Sequence, residues 1–454
     1  MTAALEGARP PDSARLGDLV AKARECQGLE RDEVAELVKV AQPEHLQAIF
    51  EAAAEVKQRI YGNRVVLFAP LYISNECVGN CVYCAFRRDN TLLERRTLDP
   101  DEIAEEVRWL VSQGYKRLLL VFGEHPVKNN VDAMIEAVRA VYDTRVDAGE
   151  IRRVNINAAP LSHEDFCRLK PAGIGTYQVF QETYHRPTYE WAHPVGPKAN
   201  YDWRLTVWDR CFPSGIDDMG LGVLFGLYDW RWEVLALLDH ARHLDRTYGV
   251  GPHTISVPRI EPAFNAPAAE HPPAPVSDDD FRKLIAIIRL AVPYTGMILT
   301  TRETPEMRRE CLHLGISQIS AGSRTSPGGY TESHPDEEDA RQFELGDHRD
   351  LDEVMRDLCD LDYLPSFCTA CYRSGRTGRE FMALAKPGQI HRFCLPNAIL
   401  TFREYLLDYA SAPTREAGQR VIAEHLVQVQ QEQLRQETRE RLQRLEAGER
   451  DLFY

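Results

Sequence analysis

Residues 64-RVVLFAPLYISNECVGNCVYCAFRRDN-90 join an apolar, β-prone run to a loop that holds three cysteines, Cys77, Cys81 and Cys84. The run 64-RVVLFAPLYIS-74 has the β-branched and aromatic content of a buried strand. Similar runs recur at 117-RLLLVFG-123, 153-RVNINAA-159, 176-TYQVFQET-183, 218-DMGLGVLFGL-227, 254-TISVPRI-260, 296-GMILTT-301 and 316-ISQISAG-322. Helical patterns separate them, among them 100-PDEIAEEVRWLVSQG-114, 131-VDAMIEAVRAVYD-143 and 230-WRWEVLALLDHARHL-244. Eight strand–helix units predict an α/β fold, a closed (βα)8 TIM-type barrel, in preference to an open doubly wound sheet. Chemistry in such barrels sits on the loops after the strands' C-terminal ends, and the three cysteines occupy the first of these loops.

The flanks extend this frame. Residues 1–62 read as an N-terminal helical cap, from the helical spacing in 33-EVAELVKVA-41 and 45-HLQAIFEAAAEVKQRIYG-62. The barrel is assigned to 63–326, a polar, turn-rich linker to 327–348 and a mainly helical C-terminal domain to 349–454, ending in one charged amphipathic helix over 414–450. With 454 residues, 44% hydrophobic and 27% charged, the chain has the composition of a soluble globular protein with room for more than one domain. A formal net charge of −15 without a Lys/Arg-rich run argues against a nucleic-acid partner. No apolar run is long enough to span a bilayer and the N-terminus lacks a signal-peptide core, so no membrane partner and a cytoplasmic location are expected.

There are 11 cysteines. In a reducing compartment an odd count without an export signal disfavours a disulfide framework. Cys26, Cys167, Cys211, Cys311 and Cys359 are scattered and read as small apolar residues. Two tight sets stand apart: Cys77, Cys81, Cys84, and Cys368, Cys371, Cys394. Structural zinc is normally closed by four protein ligands. The first set stops at three, and the nearest downstream histidine is His125, beyond the next strand. Three thiolates on a four-iron cluster leave one iron open. In the second set, 368-CTACYRSGRTGREFMALAKPGQIHRFC-394, His391 lies close enough in sequence to complete a Cys3His zinc site, and composition leaves zinc and iron–sulfur evenly matched.

The Cys-x3-Cys-x2-Cys loop, with Tyr83 before its third cysteine, resembles the radical SAM superfamily. That resemblance implies a [4Fe–4S] cluster on Cys77, Cys81 and Cys84 with S-adenosyl-L-methionine at the open iron. It also implies a 5′-deoxyadenosyl radical that abstracts a substrate hydrogen. In 123-GEHP-126, Gly123 and Glu124 resemble the element that grips the methionyl ammonium, although Phe122 replaces its first glycine. Glu182, in 181-QETYH-185, is assigned to the ribose and Arg204, in 201-YDWRL-205, to the methionyl carboxylate. Ordinary loop polarity and a surface salt bridge are the competing readings of these two.

Further stretches, 67-LFAPLYISN-75, 219-MGLGVLFGLYDWR-231, 251-GPHTISVPR-259, 318-QISAGSRT-325, 368-CTACYRSGRTG-378 and 448-GERDLFY-454, resemble the radical SAM tyrosine lyases that mature [FeFe]-hydrogenase, the HydG family. The resemblance implies cleavage of the L-tyrosine Cα–Cβ bond to p-cresol and dehydroglycine. Conversion of dehydroglycine to CO and cyanide on iron, held by free cysteine, would then serve H-cluster assembly. It implies a second, auxiliary [4Fe–4S] cluster on Cys368, Cys371 and Cys394 with a fifth iron contacted by His253. It also implies hydrogenase maturation proteins and an electron donor as partners. His253 starts the sixth strand, which puts this cluster at the opposite end of the barrel from the first; a satisfied strand-edge histidine is the alternative. Ser323 and Arg324, after the eighth strand, are expected at the tyrosine carboxylate, with Arg302 a second candidate read more readily as an ion-pair residue. The alternative function is a ThiH-like 2-iminoacetate synthase of thiamine thiazole synthesis, a family expected to lack the second cysteine set.

Overall fold

A computed structural model describes residues 1–331 and 341–454. Positions 332–340, inside the expected linker, lie outside the described residues. Strand β1, Arg64–Ser74, is buried along all 11 of its residues, as a strand covered on both faces must be. It is followed by β2 (Arg117–Phe122), β3 (Arg153–Asn157), β4 (Tyr177–Gln178), β5 (Met219–Gly222), β6 (Thr254–Ser256), β7 (Gly296–Leu299) and β8 (Gln318–Ser320). Each pairs in parallel with its successor. The pairing of Val66 with Gln318 and of Phe68 with Ser320 joins β8 back to β1 and closes the barrel. The expected eight-stranded α/β barrel is the observed fold. A two-stranded hairpin over residues 145–150 lies outside it.

Helices return the chain between strands, and their starts are written locally. The helix Pro100–Ser112 opens with an Asp99–Glu102 capping box, and Asn130, Ser277 and Thr304 each accept a backbone N–H at the next starts. Upstream, the helix Pro43–Tyr61 packs on Asp278–Ala291. It ends at Gly62, whose φ of 63° turns the chain directly into β1.

Two features differ from the sequence reading. A ninth strand, β9 (Leu364–Ser366), pairs with β1 from Arg64↔Leu364 to Val66↔Ser366, at the N-terminal end of the barrel. Three residues with a proline in the middle carry no periodicity, so nothing marked it. The C-terminal helix expected over 414–450 is two helices, Ala412–Leu426 and Glu432–Glu446. Val429 is buried at the break, and the Arg435 guanidinium donates to the freed carbonyls of Val427 and Val429, both at 3.4 Å. Burying that valine turns the chain where a continuous helix would have held it in solvent. No helix among the described residues is long and apolar enough to cross a membrane.

Candidate active site

The loop after β1 brings Cys77, Cys81 and Cys84 to the wall of a cavity of about 200 Å³ at the C-terminal mouth of the barrel. Its backbone is wedged between neighbours that only glycine allows. A Cβ on Gly123 would overlap the carbonyl of Glu76, so the glycine after β2 serves close approach to the cysteine loop itself. On the other side Gly196, at φ 93°, lies against Gly79 and Val78, and Asn80 N–H donates to Val195 O at 3.3 Å. The thiols receive donors: backbone amides of Gly79 and Glu124 reach Cys77, and Cys84 takes the Phe86 amide and Gln342 Nε2, the latter at 3.6 Å. Burial pushes all three thiols up, Cys81 to about 12. Burial therefore favours the protonated thiols, a preference that a bound metal would offset. A buried trio with N–H donors aimed at sulfur fits cluster thiolates.

Beside the thiols lies a charged group. Lys198 Nζ donates to Glu182 Oε1 at 2.6 Å. Arg204 Nε donates to Phe180 O at 2.6 Å, while its terminal nitrogens stand 3.9 Å from Glu124 and from Glu182. Glu182 sits in the left-handed region, φ 67°, where a side chain is strained unless the surroundings hold it. The bridge to Val223 and the bond from Leu224 N–H to Glu182 O hold it. Against the cost of burial, Tyr189, Glu124 and Glu182 keep Arg204 above its ordinary value. Among the described residues Arg204 Nη1, Ser323 Oγ and Thr300 Oγ1 are buried without a hydrogen-bond partner, although all three residues line the cavity. Native interiors rarely leave such atoms unpaired, so the cavity suits a ligand with carboxylate, amino and hydroxyl groups, as S-adenosylmethionine and an amino acid have.

Tyr83, Gly123, Glu124, Glu182, Arg204 and Ser323 thus share the cavity with the three cysteines. Arg324 does not line it: its backbone N–H points to Tyr330 Oη and its guanidinium to Ser323 O, each at 3.3 Å. Arg302 does, with its guanidinium 3.2 Å from the Phe343 ring centroid and no ion pair among the described residues. Burial pushes it below its ordinary value. Sequence reasoning passed over Lys198, which lies in a single 3-10 turn, Pro197–Ala199, and Gln342, which no local motif marks. It also passed over His193, whose Nε2 bonds Tyr83 Oη at 2.8 Å.

The second cysteine set assembles at the other end of β1. Cys371 and Cys394 are in side-chain hydrogen-bond contact, and Arg376 also bonds Cys371; these contacts, the one with Cys394 first, push Cys371 down. Cys368 takes the left-handed φ of 48°. Arg64, the first residue of β1, is buried and feels all three thiols. His253 lies just before β6, buried, with Nδ1 3.3 Å from Asp218 Oδ1 and neither atom hydrogen-bonded among the described residues. Burial pushes it down to about 4, leaving the neutral imidazole that metal ligation requires. Three neighbouring thiols and an imidazole without a hydrogen bond among the described residues fit an iron-bearing cluster. His391 turns to Gly388 O at 2.7 Å, and among the described residues no three ligand-type side chains are close enough to hold a single ion. The Cys3His zinc alternative thus has no preformed site, whereas a four-iron cluster spreads its thiolates over separate irons.

A three-thiol loop at the C-terminal mouth of a (βα)8 barrel, with an acid–base cluster beside it, defines the radical SAM class. The radical SAM superfamily model matches residues 71–241, and the biotin and thiamin synthesis associated domain matches 256–364. The 2-iminoacetate synthase of Escherichia coli (strain K12) is 34% identical over 343 residues, 75% of this chain and 87% of that protein. A crystal structure of HydG, a maturase of the [FeFe]-hydrogenase, superposes with a TM-score of 0.96 at 50% identity, over 100% of this chain and 98% of that one. HydG from Carboxydothermus hydrogenoformans gives a TM-score of 0.82 at 38% identity over 94% of each chain. The chain belongs to the HydG family of radical SAM enzymes.

Proposed function

We propose that this protein is a tyrosine lyase of [FeFe]-hydrogenase maturation, cleaving the L-tyrosine Cα–Cβ bond to p-cresol and dehydroglycine and converting the latter to CO and cyanide. The observation that carries the reading is the placement of two three-thiol sites at opposite ends of one barrel, the first beside a cavity with unpaired polar atoms. The likeness to HydG along the full chain supports it. A [4Fe–4S] cluster on Cys77, Cys81 and Cys84 with S-adenosylmethionine would supply a 5′-deoxyadenosyl radical. A second cluster on Cys368, Cys371 and Cys394, with a further iron at His253, is part of the proposal.

This chain's own side chains do the rest. Glu124 takes the methionyl ammonium, Glu182 the ribose and Arg204 the methionyl carboxylate, with Lys198 holding Glu182 in place. Arg302 and Ser323 face the remaining part of the cavity and take the tyrosine carboxylate, a planar anion suited to a guanidinium. Arg324 supports Ser323 from behind. Buried walls exclude water that would quench a radical. Residues 63–326 and 349–454 are proposed as the units that carry the first and second sites, with 1–62 as a cap and 327–348 as their connection. Hydrogenase maturation proteins and an electron donor are the proposed partners.

The test is anaerobic reconstitution with iron and sulfide, followed by dithionite, S-adenosylmethionine and L-tyrosine, with assay of p-cresol and trapping of CO on reduced haemoglobin. Both products establish the reading. The 34% identity to a 2-iminoacetate synthase supports a second reading in which the reaction stops at dehydroglycine; p-cresol without CO, with both clusters loaded, would select it. Neither product would remove tyrosine as the substrate.

A further inference from the structure

Seven large hydrophobic side chains are exposed among the described residues. Four of them, Leu92, Val127, Trp191 and Val195, belong to the loop that carries Cys77, Cys81 and Cys84 or to segments bonded to it. They are 69%, 75%, 50% and 36% exposed. Leu92 is on the loop itself, and its neighbour Leu93 is in the apolar cluster against which Cys77 and Cys84 pack. Val127 follows Glu124, whose carbonyl accepts from Val78 N–H at 3.0 Å. Trp191 precedes Ala192, whose carbonyl accepts from Val82 N–H at 3.1 Å, and the Val195 carbonyl accepts from Asn80 N–H. The wall between this surface and the thiols is thin. The position a Cβ would take on Gly79 lies 3.6 Å from Cys77 Sγ, 3.9 Å from Cys81 Sγ and 3.8 Å from Val195 O, so one glycine bridges two thiols and an exposed residue. Exposed apolar side chains gathered in one place mark an interaction surface.

We propose that this patch is the docking site of a small acidic flavoprotein that delivers single electrons to the first thiol site. The proposal rests on the function above for the electron's use, since each radical formed there consumes one electron. The second thiol site stands at the other end of the barrel, whereas the patch lies directly over Cys77 and Cys81. In the transfer the reduced flavin loses one electron and the iron of the first site gains it. Charge favours an acidic partner. The cysteine loop, 75–97, holds four arginines against three carboxylates, and beside it Lys128 offsets Glu190. This face is therefore slightly cationic on a chain whose net charge is −15, so an acidic carrier is repelled elsewhere and steered here. Arg88 is fixed at the centre of it by donating its N–H to Gly79 O at 2.8 Å. The apolar ring edge of a flavin suits Val127, Trp191 and Val195 as a contact that excludes water.

The test titrates an oxidised bacterial flavodoxin, an acidic flavin protein, into the full, iron-loaded chain by anaerobic isothermal calorimetry at low salt. Saturable one-to-one binding that weakens with added salt is expected. Val127→Glu and Trp191→Glu each put a carboxylate on the patch and should weaken binding about tenfold or more. Val427→Glu, at an exposed apolar residue in the break between the two C-terminal helices, should bind as the wild type does. S-adenosylmethionine cleavage driven by reduced flavodoxin should fall with binding in the two patch variants, while the dithionite-driven rate stays at the wild-type value. No saturable binding to the wild type, undiminished binding to both patch variants, or an equal loss in Val427→Glu overturns the site. Electron transfer from a small iron–sulfur protein and none from flavodoxin overturns the flavoprotein as its occupant. So does a dimer of this chain, read by sedimentation, that the patch variants abolish. The dithionite arm separates the two ideas. No cleavage with dithionite discards the iron–sulfur reading of the first site. Normal dithionite-driven cleavage without flavodoxin binding discards the docking site and keeps that reading.

Discussion

Arg302 and Arg324 follow successive strands of the same barrel, yet only Arg302 reaches the cavity. The neighbouring Tyr330 and the Ser323 carbonyl take up Arg324, while Arg302 lies over the Phe343 ring with no ion pair among the described residues. Arg302→Ala should raise KM for tyrosine about 10- to 100-fold, the equivalent of about 1.5–3 kcal/mol for a buried charge-assisted contact, and leave uncoupled S-adenosylmethionine cleavage in place. Arg324→Ala should change KM less, through Ser323. Steady-state p-cresol formation by the two variants checks the order, and the reverse order would return the clamp to Arg324. At this scale Cys77, Cys81, Cys84, Glu124 and Glu182 were legible because each follows a strand at short range, and Cys368, Cys371, Cys394 and Arg204 were read from motif and resemblance alone. Lys198 and Gln342 were not, because each reaches its partner from a segment without period or motif.

Where elements meet, single residues set the fit. Gly123 follows β2 and lies against the Glu76 carbonyl, so Gly123→Ala should push the cysteine loop aside. The expected cost is about 1–3 kcal/mol of stability, with lower iron occupancy at the first site and an unchanged second site, read by iron content and by the cluster's electron paramagnetic resonance. The helix Trp230–Tyr248 is pinned to the loop after β4 by Glu233, which accepts from Thr183 Oγ1 and from Tyr184 N–H at 2.9 Å. Burial raises this carboxyl from 4.5 to about 7, opposed by those hydrogen bonds. The folded chain therefore holds the proton more tightly than the unfolded one. The stability Glu233 confers is fully present below the unfolded value and is lost as pH rises to the folded one. Denaturant unfolding should show the wild type losing on the order of 3 kcal/mol relative to Glu233→Gln between about pH 4.5 and 7.5. A parallel pH dependence of the two would refute the assignment. The barrel strands were legible at this scale from their apolar runs. Strand β9 was not, since its pairing depends on β1 and not on its own three residues.

Across the whole molecule the two thiol sites are tied to the two ends of β1, as the start of the sixth strand at His253 implied once the resemblance linked that residue to the second cysteine set. How the second end is closed had no such sign, because the closure comes from residues 449–454, far along the chain. Asp451 N–H donates to Glu404 Oε2 at 2.9 Å, and its carboxylate meets Arg373 at 2.6 Å and Arg152 at 3.1 Å. Glu404 is itself buried between Arg152 at 2.6 Å and Lys116 at 3.1 Å, and despite burial these cations hold it down at about 2. Tyr454 N–H donates to Asn397 Oδ1 at 2.8 Å, and its carbonyl accepts from Arg376, the residue bonded to Cys371. The tail therefore braces the loop that carries Cys368 and Cys371 through two arginines, without touching the first site. Removing Asp451–Tyr454 should free Arg373 and Arg376, leave the buried Arg152–Lys116–Glu404 group in place, and cost the second cluster. Iron per chain should fall by roughly half, p-cresol should still form, and CO should be lost. Equal loss of iron from both sites would show that the tail stabilises the barrel as a whole. Full iron with full CO would show that the braced loop holds its thiols without help.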